Sequence, residues 1–388
     1  MLSATNVYPI GVDKLWLPLN VLFSFALMLS LFFSVTARNN LKTTVGVNFH
    51  YSELFYLIFL LLLIFATLLF SYLIPYNINH LLSYIVPYII YFKLYEYLFE
   101  KYNVLPYNII KYFFYGLLLS SFIAIVEFIY GFVFFEEFME LFPFTHVNLG
   151  GYGGFLRSQS LTYEPNHFGL YLAILTPISF LFLRGVYFNN KLLAIMFVIT
   201  IIMGMMTTFS ASLFAVLIID VIIIVLYLCL KLASKFRVNI ILKIMYFIVG
   251  SFLIVNILNY IGILSIIFDK IFLKYDVGIE GSRIERWMYI FKNIDNYVLF
   301  GKGAGQFIID KEIGQSAISF WLQLVLESGI FGLLSFLLFI SIPIYLFYNK
   351  NGINDLTLPI YISFTNIIVY YATVNNYWYP WLWVFLAF

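Results

Sequence analysis

The stretch RSQSLTYEPNHFG, residues 157–169, contains three side chains that can take part in chemistry: Arg157, Glu164 and His167. A guanidinium binds anionic oxygens in a fixed bidentate geometry, and a carboxylate or an imidazole can accept a proton from a hydroxyl group. All three precede a long apolar run, so the stretch is a candidate site. Two alternatives stay open: Glu164 can cap the helix that Pro165 begins, and His167 can be a polar residue at a membrane interface.

Two arginines form a second candidate site in GSRIERWMYIFKN, residues 281–293. Apolar residues recur there at spacings of three and four, which predicts a helix over 282–293. Arg283 and Arg286 then share roughly one face of that helix. The alternative is an amphipathic surface helix with solvated arginines.

Three acidic residues lie inside apolar runs: Glu127, Asp220 and Glu327. A charge at membrane depth is costly, so each marks a functional site or a buried partner. Asp220 is predicted to face the protein interior. For Glu327 the alternative role is a hydrogen bond to a helix end or an ion pair with an arginine. No Asp/Glu/His cluster has the spacing of a metal site and Cys229 is the only cysteine, so we predict neither a metal nor a cofactor.

The composition determines which elements position these side chains. The chain is 63% hydrophobic and 10% charged, whereas a soluble domain has about 25% charged residues. This predicts an all-α polytopic membrane protein that forms a single integral membrane domain over residues 1–388. The net charge of +2 gives no indication of a nucleic-acid partner.

Apolar runs predict about eleven membrane spans, with a range of about ten to twelve, since a span needs about 20 residues. The spans are 15–35, 52–74, 80–99, 112–130, 166–184, 192–209, 211–231, 242–264, 318–348, 357–374 and 377–388. The third is weak because Pro87, Lys93 and Glu96 interrupt it, so it is expected to be short or to end before Lys93. The close spacing of two spans around Ser210 predicts a helical hairpin.

Lys and Arg concentrate in the odd-numbered loops, which predicts that these loops are cytoplasmic. Loops 131–165 and 265–317 are then extracytoplasmic, and the second precedes the last three spans; both are expected to cover the active site. Within the second, GKGAGQF at 301–307 predicts a turn, because its Lys precedes most of the glycines and no Lys-Ser or Lys-Thr pair follows. A group of aromatic residues near 377–383 predicts an interfacial belt, with sugar stacking as the alternative: Tyr377, Trp378, Tyr379, Trp381 and Trp383.

Three sequence motifs, taken together with the layout of the spans, resemble a known protein family. The motifs are Arg157 with Glu164-Pro165-Asn166 and Gly169; Arg283-Ile284-Glu285 and Trp287, followed by Leu299 to Gly303; and Leu324, Leu326, Glu327, Gly329, Ile330 and Gly332. Together they resemble the O-antigen polymerase/ligase superfamily, the Wzy-type polymerases and WaaL-type ligases of bacterial surface polysaccharides. The resemblance covers roughly residues 150–340 by motif and the whole chain by layout. Where the ligases carry a histidine this chain has Ile318 and Ser319, which favours a polymerase.

The resemblance implies an enzyme that transfers a polyprenyl-diphosphate-linked glycan to a sugar hydroxyl of the next lipid-linked repeat unit, without a nucleotide. It implies a bacterial plasma membrane protein with an extracytoplasmic active site and a chain-length regulator as a further candidate partner. The implied site comprises diphosphate-binding arginines (Arg157, Arg283 and Arg286), candidate bases (Glu164 and His167) and glycan-contacting aromatics (Trp287 and Tyr163).

Two other functions stay open. One is a WaaL-type ligase that uses a different base. The other is a flippase for lipid-linked oligosaccharides, which would explain the buried Asp220 and Glu127. A transporter of this kind predicts internal repeats in the span pattern, and the sequence shows none.

Overall fold

The computed structural model describes residues 51–70, 75–101, 106–134, 157–162, 165–235, 283–292, 298–305, 319–375 and 379–387, with single positions at 249, 250, 253, 256, 259, 260, 262 and 377. Its helices are α1 (Tyr51–Phe70), α2 (Pro75–Pro87), a π-helical segment (Tyr88–Lys93), α3 (Leu94–Lys101), α4 (Pro106–Phe134), α5 (Pro165–Asn189), α6 (Lys191–Thr207), α7 (Ala211–Lys235), α8 (Arg283–Lys292), α9 (Phe320–Asn351), α10 (Leu358–Tyr370) and α11 (Pro380–Ala387). These ranges contain no strand, so the all-α prediction is confirmed for them.

Within the part of the chain that the structure describes, five helices are long and apolar enough to cross a membrane: α1, α4, α5, α7 and α9. They correspond to the predicted spans 52–74, 112–130, 166–184, 211–231 and 318–348, which supports a membrane-embedded protein. The helices α6 and α10 are apolar but shorter. The predicted span 15–35 and most of 242–264 lie outside the described residues.

The last predicted span, 377–388, is represented by a much shorter helix. Helix α11 has eight residues, which is about 12 Å of helix against a hydrocarbon core of about 30 Å. The prediction of an interfacial aromatic belt is wrong for Tyr377, Tyr379, Trp381 and Trp383, because all four are fully buried. The fifth residue of that prediction, Trp378, lies outside the described residues.

These aromatic side chains are buried because they join two groups of helices. One group contains α4, α5, α6, α7 and α10, and the other contains α1, α2, the π segment, α3, α9 and α11, with α1 lying along α9. The Trp381 ring contacts Tyr171 of the first group at 5.4 Å between centroids. The Trp383 ring contacts Tyr56 of the second group at 5.5 Å. Aromatic packing of this kind contributes more than its buried area alone.

The helix of the third predicted span does not end before Lys93. The helical chain continues through the π-helical segment to Lys101. The Lys93 ammonium contacts the carboxylates of Glu53 and Glu96, both at 2.6 Å. The Tyr88 hydroxyl also donates to Glu53 at 2.6 Å, and Glu53 is fully buried. Because these carboxylates compensate its positive charge, a lysine is tolerated within an otherwise apolar stretch.

Replacing Lys93 by alanine is expected to lower the free energy of unfolding by about 3 kcal/mol, because buried Glu53 loses its cation. This is the lower end of the range for a broken buried ion pair, since the Tyr88 hydroxyl still donates to Glu53. Thermal unfolding of the purified protein in detergent measures the effect.

The matched control is Lys231→Ala. The Lys231–Asp355 pair has the same 2.6 Å separation, but its side chains are 43% and 50% exposed. Exposed pairs stabilise little, so this variant is expected to unfold at nearly the wild-type temperature. Equal losses in the two variants would contradict a stabilising role that depends on burial.

Candidate functional site

The start of α5 lies at one end of the helix bundle, beside the turn between α6 and α7 and the end of α10. The Tyr370 hydroxyl donates to the Asn166 carbonyl at 3.0 Å. The same hydroxyl lies 3.0 Å from the Ser210 hydroxyl, in the turn between α6 and α7. Helices α6 and α7 meet at this turn, as the spacing around Ser210 predicts, and α5 begins at Pro165 as its fixed φ favours.

Arg157 is half-buried at this end and oriented by two hydrogen bonds. Its Nε donates to the Thr208 carbonyl at 2.9 Å, and its Nη2 donates to Asn166 Oδ1 at 3.1 Å. Asn166 Oδ1 also accepts from the Ser210 hydroxyl at 3.2 Å. The planar guanidinium is thus fixed between the first turn of α5 and the end of α6. A preoriented arginine is well suited to bind an anion.

The segment that follows Arg157 is packed into the protein between α4 and α6. Ser158, Gln159 and Ser160 are buried, and the Ser158 N–H donates to the Thr207 carbonyl of α6 at 3.0 Å. The Glu127 carboxylate of α4 accepts from the backbone N–H groups of Gln159, at 3.1 and 3.2 Å, and of Ser160, at 2.8 Å. The sequence offered no partner for Glu127, and the structure gives it the role of anchoring this segment.

Two serine hydroxyls complete the attachment of this segment to α4. The Ser158 hydroxyl donates to the Ala124 carbonyl and the Ser160 hydroxyl to the Ser120 carbonyl, both at 2.7 Å. Ser160 has φ +52, a conformation that is uncommon for residues other than glycine. A backbone conformation of this kind persists only where the surroundings hold it, and here carboxylate and carbonyl acceptors do so.

A glycine is required at position 169 because Tyr370 of α10 lies against it. A Cβ atom at this position would overlap the Tyr370 hydroxyl oxygen and would stand 3.2 Å from the Ser210 hydroxyl. The glycine therefore lets Tyr370 approach α5 closely enough to reach the Asn166 carbonyl. Neither Ser210 nor Tyr370 could be identified as part of this site from the sequence, because both belong to helix termini far along the chain.

His167 is adjacent to Asn166 in sequence but has different partners. Its Nδ1 lies 2.8 Å from the Tyr379 hydroxyl, the two rings meet edge to face, and the side chain is 8% exposed. Arg157 bonds to Asn166, whereas His167 faces the buried aromatic segment before α11. The other two predicted site residues of this stretch, Tyr163 and Glu164, lie outside the described residues.

The second predicted site is represented by helix α8. The predicted helix over 282–293 is confirmed, with observed bounds Arg283–Lys292. This helix contacts α9, and Trp287 is half-buried. The side chains of Arg283 and Arg286 lie outside the described part of the structure, so their joint action with Arg157 stays a prediction.

Helix α9 is interrupted at Gly329, where φ is 72 and ψ is −173. The segment 298–305 lies against this break and bonds to it through the backbone. The N–H groups of Lys302 and Gly303 donate to the carbonyls of Leu326 and Glu327, at 2.7 and 2.9 Å. The Ile330 N–H donates back to the carbonyl of residue 298 at 2.7 Å. Two motifs that are separate in sequence therefore form one junction in the structure.

Glu327 lies at the centre of this junction and is fully buried. Its Oε1 accepts from the Gly305 N–H at 3.0 Å and from Gln323 Nε2 at 3.2 Å. Its Oε2 accepts from the Tyr84 hydroxyl at 2.6 Å. These contacts are neither with a helix end nor with an arginine, the two alternatives that the sequence predicts, and they connect α2, α9 and the glycine-rich segment.

The glycine-rich segment is a turn, as predicted, and its backbone is not arranged to bind phosphate. A phosphate nest requires successive N–H groups that point at the ligand. All four N–H groups from 302 to 305 instead donate to protein acceptors, in order the Leu326 carbonyl, the Glu327 carbonyl, Thr67 Oγ1 and Glu327 Oε1.

Asp220 lies deeper in the bundle, and the prediction that it faces the interior is confirmed by its 8% exposure. Its Oδ2 accepts from Asn366 Nδ2 of α10 at 3.1 Å. This contact is separate from the Arg157 and Glu327 clusters.

The sequence matches no protein-family model, and no curated protein matches it.

Proposed function

We propose that this protein is a polymerase of a bacterial surface polysaccharide that uses a polyprenyl-diphosphate-linked glycan as donor. The observation that carries the proposal is the position of Arg157. Its guanidinium is half-buried and fixed by Asn166 and Thr208 at a bundle end where four chain segments meet. An arginine fixed in this way before the reaction stabilises charge that develops on a leaving group.

The proposed reaction transfers the growing glycan between two oxygens. The bond between the anomeric carbon and the diphosphate oxygen breaks, and a bond forms between that carbon and a hydroxyl oxygen of the next lipid-linked repeat. The bonding electrons leave with the diphosphate, whose negative charge Arg157 stabilises together with Arg283 and Arg286. The hydroxyl proton passes to a base, and the diphosphate bond supplies the free energy without a nucleotide.

Of the two candidate bases, Glu164 is preferred because the contacts of His167 suit a packing role. His167 is buried and its Nδ1 contacts the Tyr379 hydroxyl, so it is better suited to hold the start of α5. Glu164 directly precedes Pro165, the first residue of α5, and is two residues before the Asn166 that binds Arg157. Tyr163 and Trp287 are the proposed glycan contacts, because aromatic rings pack well against sugar faces.

The proposed topology places this bundle end on the extracytoplasmic side of the plasma membrane, with about eleven spans in total. Support comes from basic residues near the opposite helix ends, which by the positive-inside rule face the cytoplasm: Lys111, Arg184, Lys191, Lys231 and Lys350. Lipid-linked repeats are joined on the extracytoplasmic side, where a chain-length regulator is a further proposed partner.

Deletion of the gene separates the proposed function from its alternatives. A polymerase deletion is expected to leave single repeat units on the surface acceptor, detected by gel electrophoresis of the glycan. Long chains retained on the polyprenyl lipid indicate a ligase, and repeats retained on the cytoplasmic side indicate a flippase. Long chains of normal distribution on the surface of the deletion strain would exclude the polymerase.

A further inference from the structure

A group of buried oxygens lies between α5, α7 and α10, one or two helix turns from the Arg157 cluster. Its reference point is Asn366, which is fully buried. Asn366 Nδ2 donates to the Ala173 carbonyl of α5 at 2.8 Å and to Asp220 Oδ2 of α7 at 3.1 Å. One amide group therefore contacts both neighbouring helices.

The contact with Ala173 has a local cause. Pro177 lies inside α5 and has no N–H, so the carbonyl four residues earlier, that of Ala173, loses its helical donor. The Asn366 amide replaces that donor. The proline thus explains why an amide is buried at this depth, but it does not explain the carboxylate beside it.

The register of α5 against α10 places two hydroxyls next to Asn366. Tyr370 contacts Asn166 and Asn366 contacts Ala173, so the two helices run antiparallel. Thr176 lies three residues after Ala173, and Ser363 lies three residues before Asn366. Residues three apart share a helix face, so both hydroxyls belong to the same layer on facing helices.

Four oxygens of this layer have no hydrogen-bond partner within the described part of the chain: Asp220 Oδ1, Asn366 Oδ1, Thr176 Oγ1 and Ser363 Oγ. Buried polar groups are nearly always hydrogen-bonded, so a cluster of four exceptions requires an explanation. Asp220 and Ser363 are each more than nine-tenths buried. The Asp220 contact is with a neutral amide, and no basic side chain pairs with this carboxylate among the described residues.

Four hydroxyls at other helix positions behave differently. In a helix, a Ser or Thr hydroxyl commonly donates to the carbonyl four residues earlier. In this protein Thr67, Thr200, Ser328 and Thr365 do so, at 2.6 to 3.0 Å. Thr176 and Ser363 do not, and their oxygens are left as acceptors in the layer that contains Asp220.

We infer that Asp220, Asn366, Ser363 and Thr176 form a binding site for a dehydrated monovalent cation, with Na⁺ as the fitting ion. Hard cations bind carboxylate, amide and hydroxyl oxygens, which are the groups present. A monovalent ion neutralises the single carboxylate, whereas a divalent ion would leave a net positive charge inside the membrane. A proton on Asp220 would account for only one of the four oxygens that have no hydrogen-bond partner, whereas a bound cation would coordinate all four.

The position of this site links it to the bundle end above it. Asn366 and Tyr370 are separated by one helix turn on α10, and Tyr370 contacts Asn166, the partner of Arg157. A bound cation would hold α10 against α5 and α7, and so would fix Tyr370. The inference stands independently of the proposed polymerase activity, because it concerns ion binding and stability.

The test is thermal unfolding and equilibrium binding of ²²Na⁺ with the full-length protein in lipid nanodiscs. In NaCl, relative to choline chloride at equal ionic strength, the unfolding temperature is expected to rise and saturate, with one Na⁺ bound per chain. Asp220→Asn is expected to abolish both signals. Ser363→Ala and Thr176→Val, which retain the carboxylate, are expected to raise the half-saturating Na⁺ concentration at least about tenfold.

The matched control is Thr365→Val, two residues from Ser363 on the same helix, whose hydroxyl donates to the Tyr361 carbonyl. It is expected to bind Na⁺ like the wild type. Three outcomes would overturn the inference. The first is an unfolding temperature that is the same in choline chloride as in NaCl, and the second is an unfolding temperature that depends on pH while no Na⁺ binds. The third is Na⁺ binding that persists unchanged in both Ser363→Ala and Thr176→Val. If Asp220→Asn does not fold, these two hydroxyl variants decide the outcome.

Discussion

Replacing Arg157 by alanine is expected to lower the rate of glycan polymerisation by at least about 100-fold, the usual effect of removing one preorganised donor from a leaving oxyanion. The reason is geometric: Arg157 is held by the Thr208 carbonyl and by Asn166 Oδ1, so its position does not have to be organised during the reaction. The measurement is the rate of product formation by purified protein with a synthetic polyprenyl-diphosphate-linked repeat unit at saturating concentration.

Two controls separate the chemistry from the packing. Arg157→Lys retains the charge but loses the bidentate fork, so it is expected to recover only part of the rate. Arg184→Ala removes an exposed arginine from the opposite bundle end and is expected to react like the wild type. Unfolding temperatures of all three variants show whether a loss of rate reflects a loss of fold. A wild-type rate for a folded Arg157→Ala protein would refute the role of Arg157.

Replacing Gly329 by alanine is expected to have the largest effect on stability, with a loss of about 4 kcal/mol or more in the free energy of unfolding. At φ 72 and ψ −173, a region almost restricted to glycine, an alanine costs about 1–3 kcal/mol in backbone strain alone. The new Cβ would also overlap the backbone of Leu299 and Phe300. Segment 298–305 would then leave the break in α9, and each buried backbone hydrogen bond lost there costs about 1–3 kcal/mol more.

Gly352→Ala is the matched control for this prediction. Gly352 also has a positive φ, of 61, but no heavy atom lies within 4 Å of the position of its added Cβ. Only the backbone strain remains, so the expected loss is about 1–3 kcal/mol. Thermal unfolding and the yield of monodisperse protein measure both variants. If Gly329→Ala were no less stable than Gly352→Ala, the close packing of the glycine-rich segment against α9 would be refuted.

Helix positions were predictable from the sequence where the signals were local. The apolar runs gave the five long helices, Pro165 gave the start of α5, and the spacing of apolar residues gave α8. Each of these signals depends on residues within a few helix turns of one another. The same local rules could not show that the helix continues past Lys93, because one of the carboxylates that neutralise this lysine belongs to another helix.

The candidate site was only partly predictable. The sequence pointed to Arg157, and it also marked Glu327 and Asp220 as buried polar residues. It could not supply their partners, because the Tyr84–Glu327 contact spans 243 residues and the Asp220–Asn366 contact spans 146. Partners at such separations are decided by which helices pack together and in which register.

The sequence by itself determined that the chain is a helical membrane protein and which residue types are available for chemistry. The reason is that a chain surrounded by lipid must be apolar and must form its backbone hydrogen bonds internally, and both requirements are visible in composition and periodicity. The tertiary structure decided the rest. It packed the segment after Arg157 between α4 and α6, placed segment 298–305 against the break at Gly329, and buried aromatic rings expected at an interface. The physical reason is that buried polar groups must find partners, and packing alone determines which groups come within hydrogen-bonding distance.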